Sequence, residues 1–434
     1  MVRRILYWVL VAGCLSCKEK PGDEFYPDGV LLSKEPAWKT QVSVNSFLAQ
    51  GIDIPPTLYN DGAVMACATG FEPVAGSGLS RPGLLMLDVL TGKVRWKWDD
   101  YMYDRESLFL TGRYTFNDRM VFHNGPRTYC INLSTGKTEW KKWKADSVNT
   151  LNPGLISGIG HRYFFSAIAI KSGDEDYPLN KLYEGNILNA VGEVEVVNPQ
   201  LPKEYFGVTP IPAGATFFCP TVLDGDTVIA VAYQVPAADA QYNVIKSAFG
   251  LYNLNKKEWI YKDRMLLEAQ RGGVVDWCPV IYGEKIYWNA NRDIVCNDLR
   301  TGREIWRKAF RQDFLFTPLI IAENKVIANN EDTWLYALDI NTGAELWKTP
   351  SAGTSSHLVY LDGYVYYIGG GDGFLHAVDI SNGKTVWRLR SPDLKADSRA
   401  HFSGGISGVP AKNGKKGRIL AGTGRHVYGY EAIR

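Results

Sequence analysis

Residues 336–347 read YALDINTGAELW, and this stretch determines the predicted fold. An apolar run reaches Asp339, passes through Thr342 and Gly343, and becomes apolar again before it ends at Trp347. An Asp carboxylate can accept backbone N–H bonds across a tight turn. A Gly reaches the positive φ that other residues adopt only with strain. The stretch therefore predicts a β-hairpin whose second strand ends in a buried Trp.

The same pattern, A-x-D-x-x-T-G-x-x-x-W, recurs along the chain. Four further full copies end at Trp96, Trp140, Trp306 and Trp387. The stretch LYNLNKKEW is interpreted as a shortened copy that ends at Trp259, and a decayed copy lies near residues 188–197. The C-terminal VYGYEAIR stops before its Trp, and the missing ring is expected at Trp38 in EPAWKT. Self-similarity of this kind indicates a repeat architecture.

A second signal uses different residues and gives the same count. Eight clusters of turn residues, four of which contain Asp-Gly or Asn-Asp, lie between β-rich runs and fall between successive closing strands. Such clusters indicate hairpins. Each unit is thus a sheet of four short strands, apolar on both faces, which must pack between two sheets like itself. Radial closure of such an array is a β-propeller.

The sequence therefore predicts an all-β fold, a single β-propeller of eight four-stranded blades over residues 34–434. The last blade is expected to be closed by the N-terminal strand around Trp38. Seven blades would result if region 145–215 holds no true blade. The position equivalent to Ala337 is mostly small, which leaves room for a neighbour's large ring. Cys130 and Cys296 at that position are expected to be small buried hydrophobes.

The N-terminus reads MVRRILYWVLVAGCLSCKEK. Two arginines before a short apolar run are typical of a secretory signal, and the run is too short to span a bilayer. Residues 1–13 are predicted to be a lipoprotein signal peptide, with lipid attachment at Cys14 or alternatively at Cys17. Residues 14–33, rich in charge, Pro and Gly, are expected to form a tether. The other interpretation is an ordinary signal with two incidental cysteines.

Composition excludes several function classes. The 434 residues are 45% hydrophobic, which supports a large core, and the net charge of +2 gives no argument for a nucleic-acid partner. The five cysteines beyond residue 17 are odd in number and widely spaced, so no disulfide framework is expected. The sequence lacks zinc-ligand spacing and hydrolase motifs. No catalytic residue and no metal site are predicted.

One face of the ring is predicted to be the working face. The turns between second and third strands and the connections between blades share that face, and the longest insertions fall there, at 71–81, 171–180, 198–215, 235–247 and 390–402. Long loops on a rigid scaffold commonly bind ligands. Candidate binding residues at the rim of an axial pocket are Arg271, Asp276, Trp277, Gln312, Asp313, Phe316, Arg399 and His401. They could bind a peptide, a glycan or a quinone acid, or they form only a solvated rim.

The repeated signature resembles that of the PQQ-like (pyrroloquinoline-quinone-type) β-propeller family. The resemblance covers residues 36–434 and is strongest at 83–97, 127–141 and 293–388. It implies the fold, whereas the family includes both quinoprotein dehydrogenases and non-enzymatic scaffolds. The chain combines a predicted lipoprotein signal with a propeller and almost no other domain. In this it is most similar to the family's non-enzymatic lipoproteins of outer-membrane protein assembly.

The expected function is therefore that of a lipid-anchored, monomeric scaffold at the outer membrane, without a cofactor. Its partner is expected to be an envelope or outer-membrane protein. One alternative is a quinoprotein dehydrogenase that uses PQQ with calcium. Enzymes of that resemblance usually have larger chains and an adjacent Cys pair, which is absent here. The other alternative is a glycan or ligand receptor that uses Tyr205, Phe206, Phe217, Phe218 and Trp277 for stacking.

Overall fold

The computed structural model describes residues 28–42, 57–67, 82–103, 106, 108, 110–143, 149–171, 180–191, 193–197, 214–235, 244–270, 278–310, 317–353, 355–412 and 414–434. These residues form eight four-stranded antiparallel sheets. The first strands of neighbouring blades contact one another from blade 2 through blade 8 to blade 1. The arrangement is an eight-bladed β-propeller, as the repeat count predicted.

The first four blades each use four consecutive strands, ordered from the axis outward. Blade 1 contains β2 (Thr57–Tyr59), β3 (Gly62–Cys67), β4 (Gly83–Asp88) and β5 (Val94–Trp98). Blade 2 contains β6 (Leu110–Phe116), β7 (Arg119–Asn124), β8 (Arg127–Asn132) and β9 (Thr138–Trp143). Blade 3 contains β10 (Asn149–Ile159), β11 (Arg162–Lys171), β12 (Asn180–Asn186) and β13 (Val194–Val197). Blade 4 contains β14 (Gly214–Leu223), β15 (Asp226–Val235), β16 (Val244–Asn253) and β17 (Glu258–Gln270).

Three of the remaining blades follow the same order, and the last one borrows a strand. Blade 5 contains β18 (Val280–Tyr282), β19 (Lys285–Ala290), β20 (Asp293–Asp298) and β21 (Glu304–Ala309). Blade 6 contains β22 (Ile320–Ala322), β23 (Lys325–Asn329), β24 (Trp334–Asp339) and β25 (Glu345–Pro350). Blade 7 contains β26 (Val359–Leu361), β27 (Tyr364–Ile368), β28 (Leu375–Asp379) and β29 (Thr385–Leu389). Blade 8 contains β30 (Ser407–Val409), β31 (Arg418–Gly422), β32 (His426–Glu431) and, outermost, β1 (Trp38–Gln41).

The core lies between blades rather than within one centre. Second and third strands are buried on both faces, as in β23 and β24 of blade 6. One hydrophobic cluster joins Tyr287 and Cys296 of blade 5 to Val326 and Leu338 of blade 6, and comparable clusters fill the other gaps. No helix among these residues has the length and apolarity needed to cross a bilayer.

The N-terminal segment closes the ring, as predicted. In blade 8, β1 pairs antiparallel with β32, with Trp38 opposite Gly429. The segment before it also contributes, because the Leu31 N–H donates to the Val386 carbonyl and the Arg388 N–H donates to the Leu31 carbonyl. Leu31 thus extends blade 7 in parallel. The expectation of a tether over 14–33 is wrong for its last residues, because Val30, Leu31 and Leu32 are buried.

The Asp of the repeat caps the turn between third and fourth strands. Asp339 Oδ1 accepts hydrogen bonds from the backbone N–H groups of Asn341 and Thr342 and from the Thr342 hydroxyl, all at 2.9 Å. The hydrogen bond from the Thr342 hydroxyl, followed by those from the two backbone N–H groups, lowers the pKa of the Asp339 carboxyl. Gly343 completes the turn with φ of +68°. The role assigned to both residues from the sequence is confirmed.

The Trp of the repeat joins one blade to the next. Trp347 Nε1 donates to the carbonyl of Ile380 at 3.0 Å, and a Cβ on Gly383 would lie 2.8 Å from the Trp347 ring. The ring of blade 6 therefore packs on the Gly-containing turn of blade 7, a contact we call the Trp–turn clamp. The same hydrogen bond, from the indole N–H to a backbone carbonyl of the next blade, is made by Trp38, Trp96, Trp140 and Trp306.

The small residue of the repeat makes room for the Trp of its own blade rather than for the ring of a neighbouring blade. Ala337 lies directly opposite Trp347 in the β24–β25 pairing. Gly429 has the same relation to Trp38, whose ring would lie 2.2 Å from an added Cβ. Cys130 and Cys296 occupy this position and are fully buried free thiols, as expected.

Blade 4 departs from the sequence interpretation. The expected Trp259 lies opposite Tyr252, whereas Tyr261 lies opposite Leu251, which is equivalent to Ala337. The Tyr261 hydroxyl donates to the Leu299 carbonyl of blade 5 at 3.0 Å, so Tyr261 makes the clamp. Lys257 adopts the positive φ of the missing Gly, +58°. The copy is therefore full-length, with Tyr261 at the position of the Trp. Trp259 lies two residues before that position, so the prediction of a shortened copy is wrong.

Substitution of Gly343 should be more destabilising than substitution of a comparable Gly outside a clamp. Gly343→Ala places a Cβ 2.5 Å from the Trp306 ring at a positive φ, and we expect a loss of about 2–4 kcal/mol. Gly225→Ala at φ of +86° has nothing within 4 Å and should cost about 1 kcal/mol. Equal shifts of the two urea unfolding midpoints would contradict the clamp.

Candidate functional site

A cavity of about 530 Å³, here called the inner cavity, opens on the working face. The turn between β27 and β28 forms one wall, and the segments that precede the first strands of blades 6, 7 and 8 form the others. Its lining residues are Pro318, Ser355, Ser356, His357, Ile368, Gly369, Gly370, Gly371, Asp372, Gly373, His401, Phe402, Ser403 and Gly404. The volume is within the range of small-molecule sites.

The glycine-rich turn of blade 7 positions His401 at this cavity. Gly373 has φ of +63°, and a Cβ there would approach the His401 Cβ to 2.6 Å. The Phe402 N–H donates to the Gly373 carbonyl, which fixes the incoming strand segment against the turn. Only Gly satisfies both the φ and the close approach. Residues 369–373, with the sequence GGGDG, therefore form a hairpin turn whose backbone is one wall of the inner cavity.

Asp372 is the acidic group of the inner cavity. Its carboxylate lies 3.1 Å from His376 Nε2 and 3.2 Å from Arg388 Nη2. Burial raises the pKa of this carboxyl, but the hydrogen bond and charge of His376, with smaller contributions from the Phe374 N–H and Arg388, outweigh burial and lower it. Asp372 is therefore an ionised but already paired carboxylate, which suits a structural anchor of the wall better than a general acid.

His357 lines the inner cavity, and the charge of an arginine from another blade acts on it. Arg113 lies on β6, the first strand of blade 2, whereas His357 immediately precedes β26 of blade 7. Burial lowers the pKa of His357 to about 4, and the Arg113 charge adds to this effect. Burial also lowers the pKa of Arg113, to about 10. At neutral pH the site thus combines a neutral imidazole with a guanidinium cation.

The predicted rim residues are only partly covered by the described residues. Arg271, Asp276, Trp277, Gln312, Asp313 and Phe316 lie outside them. Arg399 is described and is mostly exposed, with 66% of its side chain accessible. His401 lines the inner cavity and also a second cavity farther from the axis. The two described candidates thus lie on one side of the working face, at blades 7 and 8.

Sequence reasoning missed His357, although a signal was present. Cys278 and Pro318 stand two residues before β18 and β22, and His357 stands two residues before β26. The predicted rim residues belong to blades 5, 6 and 8, and none comes from the equivalent segment of blade 7. An alignment of all the segments that lead into first strands would have included it.

An exposed aromatic cluster, here called the blade 2 patch, lies on the same face. Tyr103 and Trp143 are 45% and 48% exposed, with ring centroids 5.5 Å apart. The Arg127 guanidinium lies 5.0 Å from the Tyr103 ring and 5.4 Å from the Trp143 ring. Glu106, only 4% exposed, pairs with Arg127 at 3.5 Å and accepts from the Tyr129 hydroxyl. A buried acid thus pairs with a half-buried cation that lies against two exposed aromatic rings.

The enzymatic alternative requires a group that binds calcium. Calcium needs several oxygen ligands, and no group of three or more His, Cys, Asp or Glu side chains among these residues could hold a metal ion. The chain has no adjacent cysteines. The four described cysteines, Cys130, Cys219, Cys278 and Cys296, are free.

Comparison with known proteins agrees with the architecture. Residues 256–431 match the family model described as outer membrane protein assembly factor BamB. No curated protein matches the sequence significantly. The solved structure of BamB from Moraxella catarrhalis is 14% identical, with a TM-score of 0.54 over 91% of this chain and 100% of that one.

Two other solved structures have the same fold. The computationally designed protein Ika8 is 13% identical, with a TM-score of 0.54 over 91% of this chain and 100% of that one. The quinohemoprotein alcohol dehydrogenase ADHIIG from Pseudomonas putida HK5 is 11% identical, with a TM-score of 0.60 over 92% of this chain and 76% of that one. At these identities the similarity establishes the fold alone.

The protein is thus an eight-bladed β-propeller with one loop-bearing face. Its residues 256–431 match the BamB-type family model, and its fold is that of the solved PQQ-like propeller structures.

The lowered pKa of His357 predicts a pH dependence of stability. Between pH 6.5 and about 4 the unfolded chain binds a proton at this ring and the folded chain does not, so stability falls as the pH falls. This contribution is at most about 3 kcal/mol. His357→Gln should therefore flatten the acid limb of stability against pH, measured by urea unfolding from pH 7 to pH 4. An unchanged slope would show that the ring is protonated in the folded protein.

Proposed function

We propose that this protein is a lipid-anchored scaffold of the cell envelope, BamB-like, whose working face binds a protein partner in outer-membrane protein assembly. It acts as a monomer, without a cofactor and without catalysis. The observation that carries the proposal is the match of residues 256–431 to the BamB family model. The collection of the cavities and the exposed aromatic cluster on one face supports it.

The blade 2 patch has the composition of a protein-binding hot spot. Trp, Tyr and Arg dominate such sites, and here side chains of these three types contact one another. Arg127 pairs with Glu106, and Trp143, the last residue of the outer strand β9, is 48% exposed. A partner that covers Tyr103 and Trp143 would bury aromatic area at a small cost in side-chain entropy.

The fold leaves an enzymatic role open, because a quinohemoprotein alcohol dehydrogenase has the same architecture. Against that role, the described part of the chain offers no metal-binding group. His357, Arg113 and Asp372 could orient a bound acid, but they include no base paired with a nucleophile. Saturable binding of PQQ in the presence of calcium, with alcohol or sugar oxidation, would replace the scaffold proposal.

The lipid anchor can be tested at the two candidate cysteines. Cys14→Ser should abolish incorporation of an alkyne-labelled fatty acid and move the protein from the membrane to the soluble fraction, because the lipidated residue is lost. Cys17→Ser should leave label and location unchanged. If only Cys17→Ser removes the label, the attachment site moves to Cys17; a label retained in the double variant refutes lipidation.

The partner and its face can be identified together by crosslinking mass spectrometry on intact envelopes. Crosslinks to an envelope protein should concentrate on the second-to-third turns and blade connections. Trp143→Ala should weaken recovery of that partner by roughly 30-fold, the effect of losing a hot-spot side chain of about 2 kcal/mol. Tyr282→Ala is the matched control, since Tyr282 is 51% exposed on the opposite face.

A second control separates binding from stability. Asp339→Ala removes the cap of a turn on the opposite face, so it should lower the melting temperature while partner recovery at moderate temperature stays unchanged. Equal loss of recovery in Trp143→Ala and Tyr282→Ala, or crosslinks spread over both faces, would contradict a single working face.

A further inference from the structure

A second cavity, here called the outer cavity, has a volume of about 440 Å³. It opens on the working face between the connection from blade 7 to blade 8 and the turn between β31 and β32. The connection includes a short 3-10 helix, Pro392–Lys395. The charged and imidazole-bearing lining residues of the outer cavity are Lys39, Asp393, Asp397, Arg399, His401, Arg425 and His426.

Asp393 forms the floor of the outer cavity and is fully hydrogen-bonded. Its Oδ1 accepts from Lys39 Nζ at 3.1 Å and from the Tyr428 hydroxyl at 2.6 Å. Its Oδ2 accepts from the Thr423 hydroxyl at 2.7 Å and from His426 Nδ1 at 2.8 Å. Burial raises the pKa of this carboxyl, but the four hydrogen bonds outweigh it and lower the pKa to about 2. The charge of Asp393 is therefore present and internally compensated.

This network fixes the tautomer and orientation of His426. A carboxylate only accepts, so Nδ1 of His426 bears a proton, and Nε2 is the ring nitrogen left for a ligand. The side chain is 17% exposed and lines the outer cavity. Nε2 accepts from a ligand O–H when the ring is neutral and donates to a ligand oxygen when the ring is protonated.

The described residues that line the outer cavity carry charges of both signs. The cations Lys39, Arg399 and Arg425 outnumber the two carboxylates by one, before the two imidazoles are counted. Asp397 is already engaged, since its Oδ1 accepts from the Arg399 N–H at 3.0 Å and from Arg399 Nε at 3.4 Å. Neither carboxylate therefore presents an uncompensated charge to a bound anion.

We propose that the outer cavity binds a phosphomonoester, with His426 Nε2 and the Arg399 guanidinium on the phosphate oxygens. Arginine matches phosphate geometry through paired N–H donors. A phosphomonoester offers both P–O⁻ and P–OH groups near neutral pH, so it pairs with either protonation state of His426. The remaining volume accommodates the organic part of the ester. This site is independent of partner binding at the blade 2 patch.

The test uses calorimetry on the purified full-length protein with inorganic phosphate and with glycerol 3-phosphate. Both should bind saturably, and Arg399→Gln and His426→Gln should each weaken binding about tenfold, as expected for one charge-assisted hydrogen bond. Lys395→Gln is the matched control, because Lys395 is exposed on the same 3-10 helix but does not line the outer cavity. Its affinity should stay within about twofold of wild type.

Vesicle flotation distinguishes a soluble ester from a lipid headgroup. Binding to phosphatidylcholine vesicles that increases with phosphatidic acid, and does so only with Arg399 and His426 intact, identifies a lipid phosphate. Soluble binding without that increase identifies a free phosphomonoester. The proposal is overturned if phosphate and glycerol 3-phosphate do not bind saturably, or if Lys395→Gln weakens binding as much as Arg399→Gln. Arg399 is 66% exposed, so its variant tests the site even if His426→Gln is unstable.

Discussion

The Trp–turn clamp is the contact on which the rest of the ring depends. A blade that is apolar on both faces has no stable isolated form, and its neighbours must be held at one distance and one angle. The clamp does both, since the indole ring fills the space above a glycine while its N–H satisfies a carbonyl of the adjoining blade. At Trp347 these two contacts involve Gly383 and Ile380. The hydrogen bond fixes the orientation of the indole ring, which apolar packing alone does not specify.

Closure of the ring uses the same contact and adds a polar one. Trp38 clamps blade 1 from the N-terminal strand, so the two ends of the chain complete one interface. Lys39 on that strand binds Asp393, whose other partners belong to blade 8. Leu31 extends blade 7 before the chain reaches β1. The N-terminal segment is therefore hydrogen-bonded to blades 7 and 8. Opening the ring where the two ends of the chain meet would break several contacts at once.

The fold was predictable because the constraint behind it is local and repeated. Asp339, Gly343 and Trp347 each have a role fixed within one hairpin, so the copies appear in the sequence at constant spacing. Where the role is kept by another residue type, the pattern fails, as at Tyr261, which clamps through a hydroxyl. The cavities were less predictable for a physical reason. The charge of Arg113 in blade 2 lowers the pKa of His357 in blade 7, and Asp393 joins groups more than thirty residues away, so no local pattern marks them.

The positions of the clamps also separate stability from recognition. Each clamp uses a turn between third and fourth strands, and these turns lie on the face opposite the inner cavity, the outer cavity and the blade 2 patch. Loops on the working face can therefore change without disturbing the contacts between blades. A propeller assembly factor, a designed protein and a dehydrogenase, each 11–14% identical to this chain, have the same fold. Because the clamps specify only the ring, the function of such a chain has to be argued from the side chains of its loops.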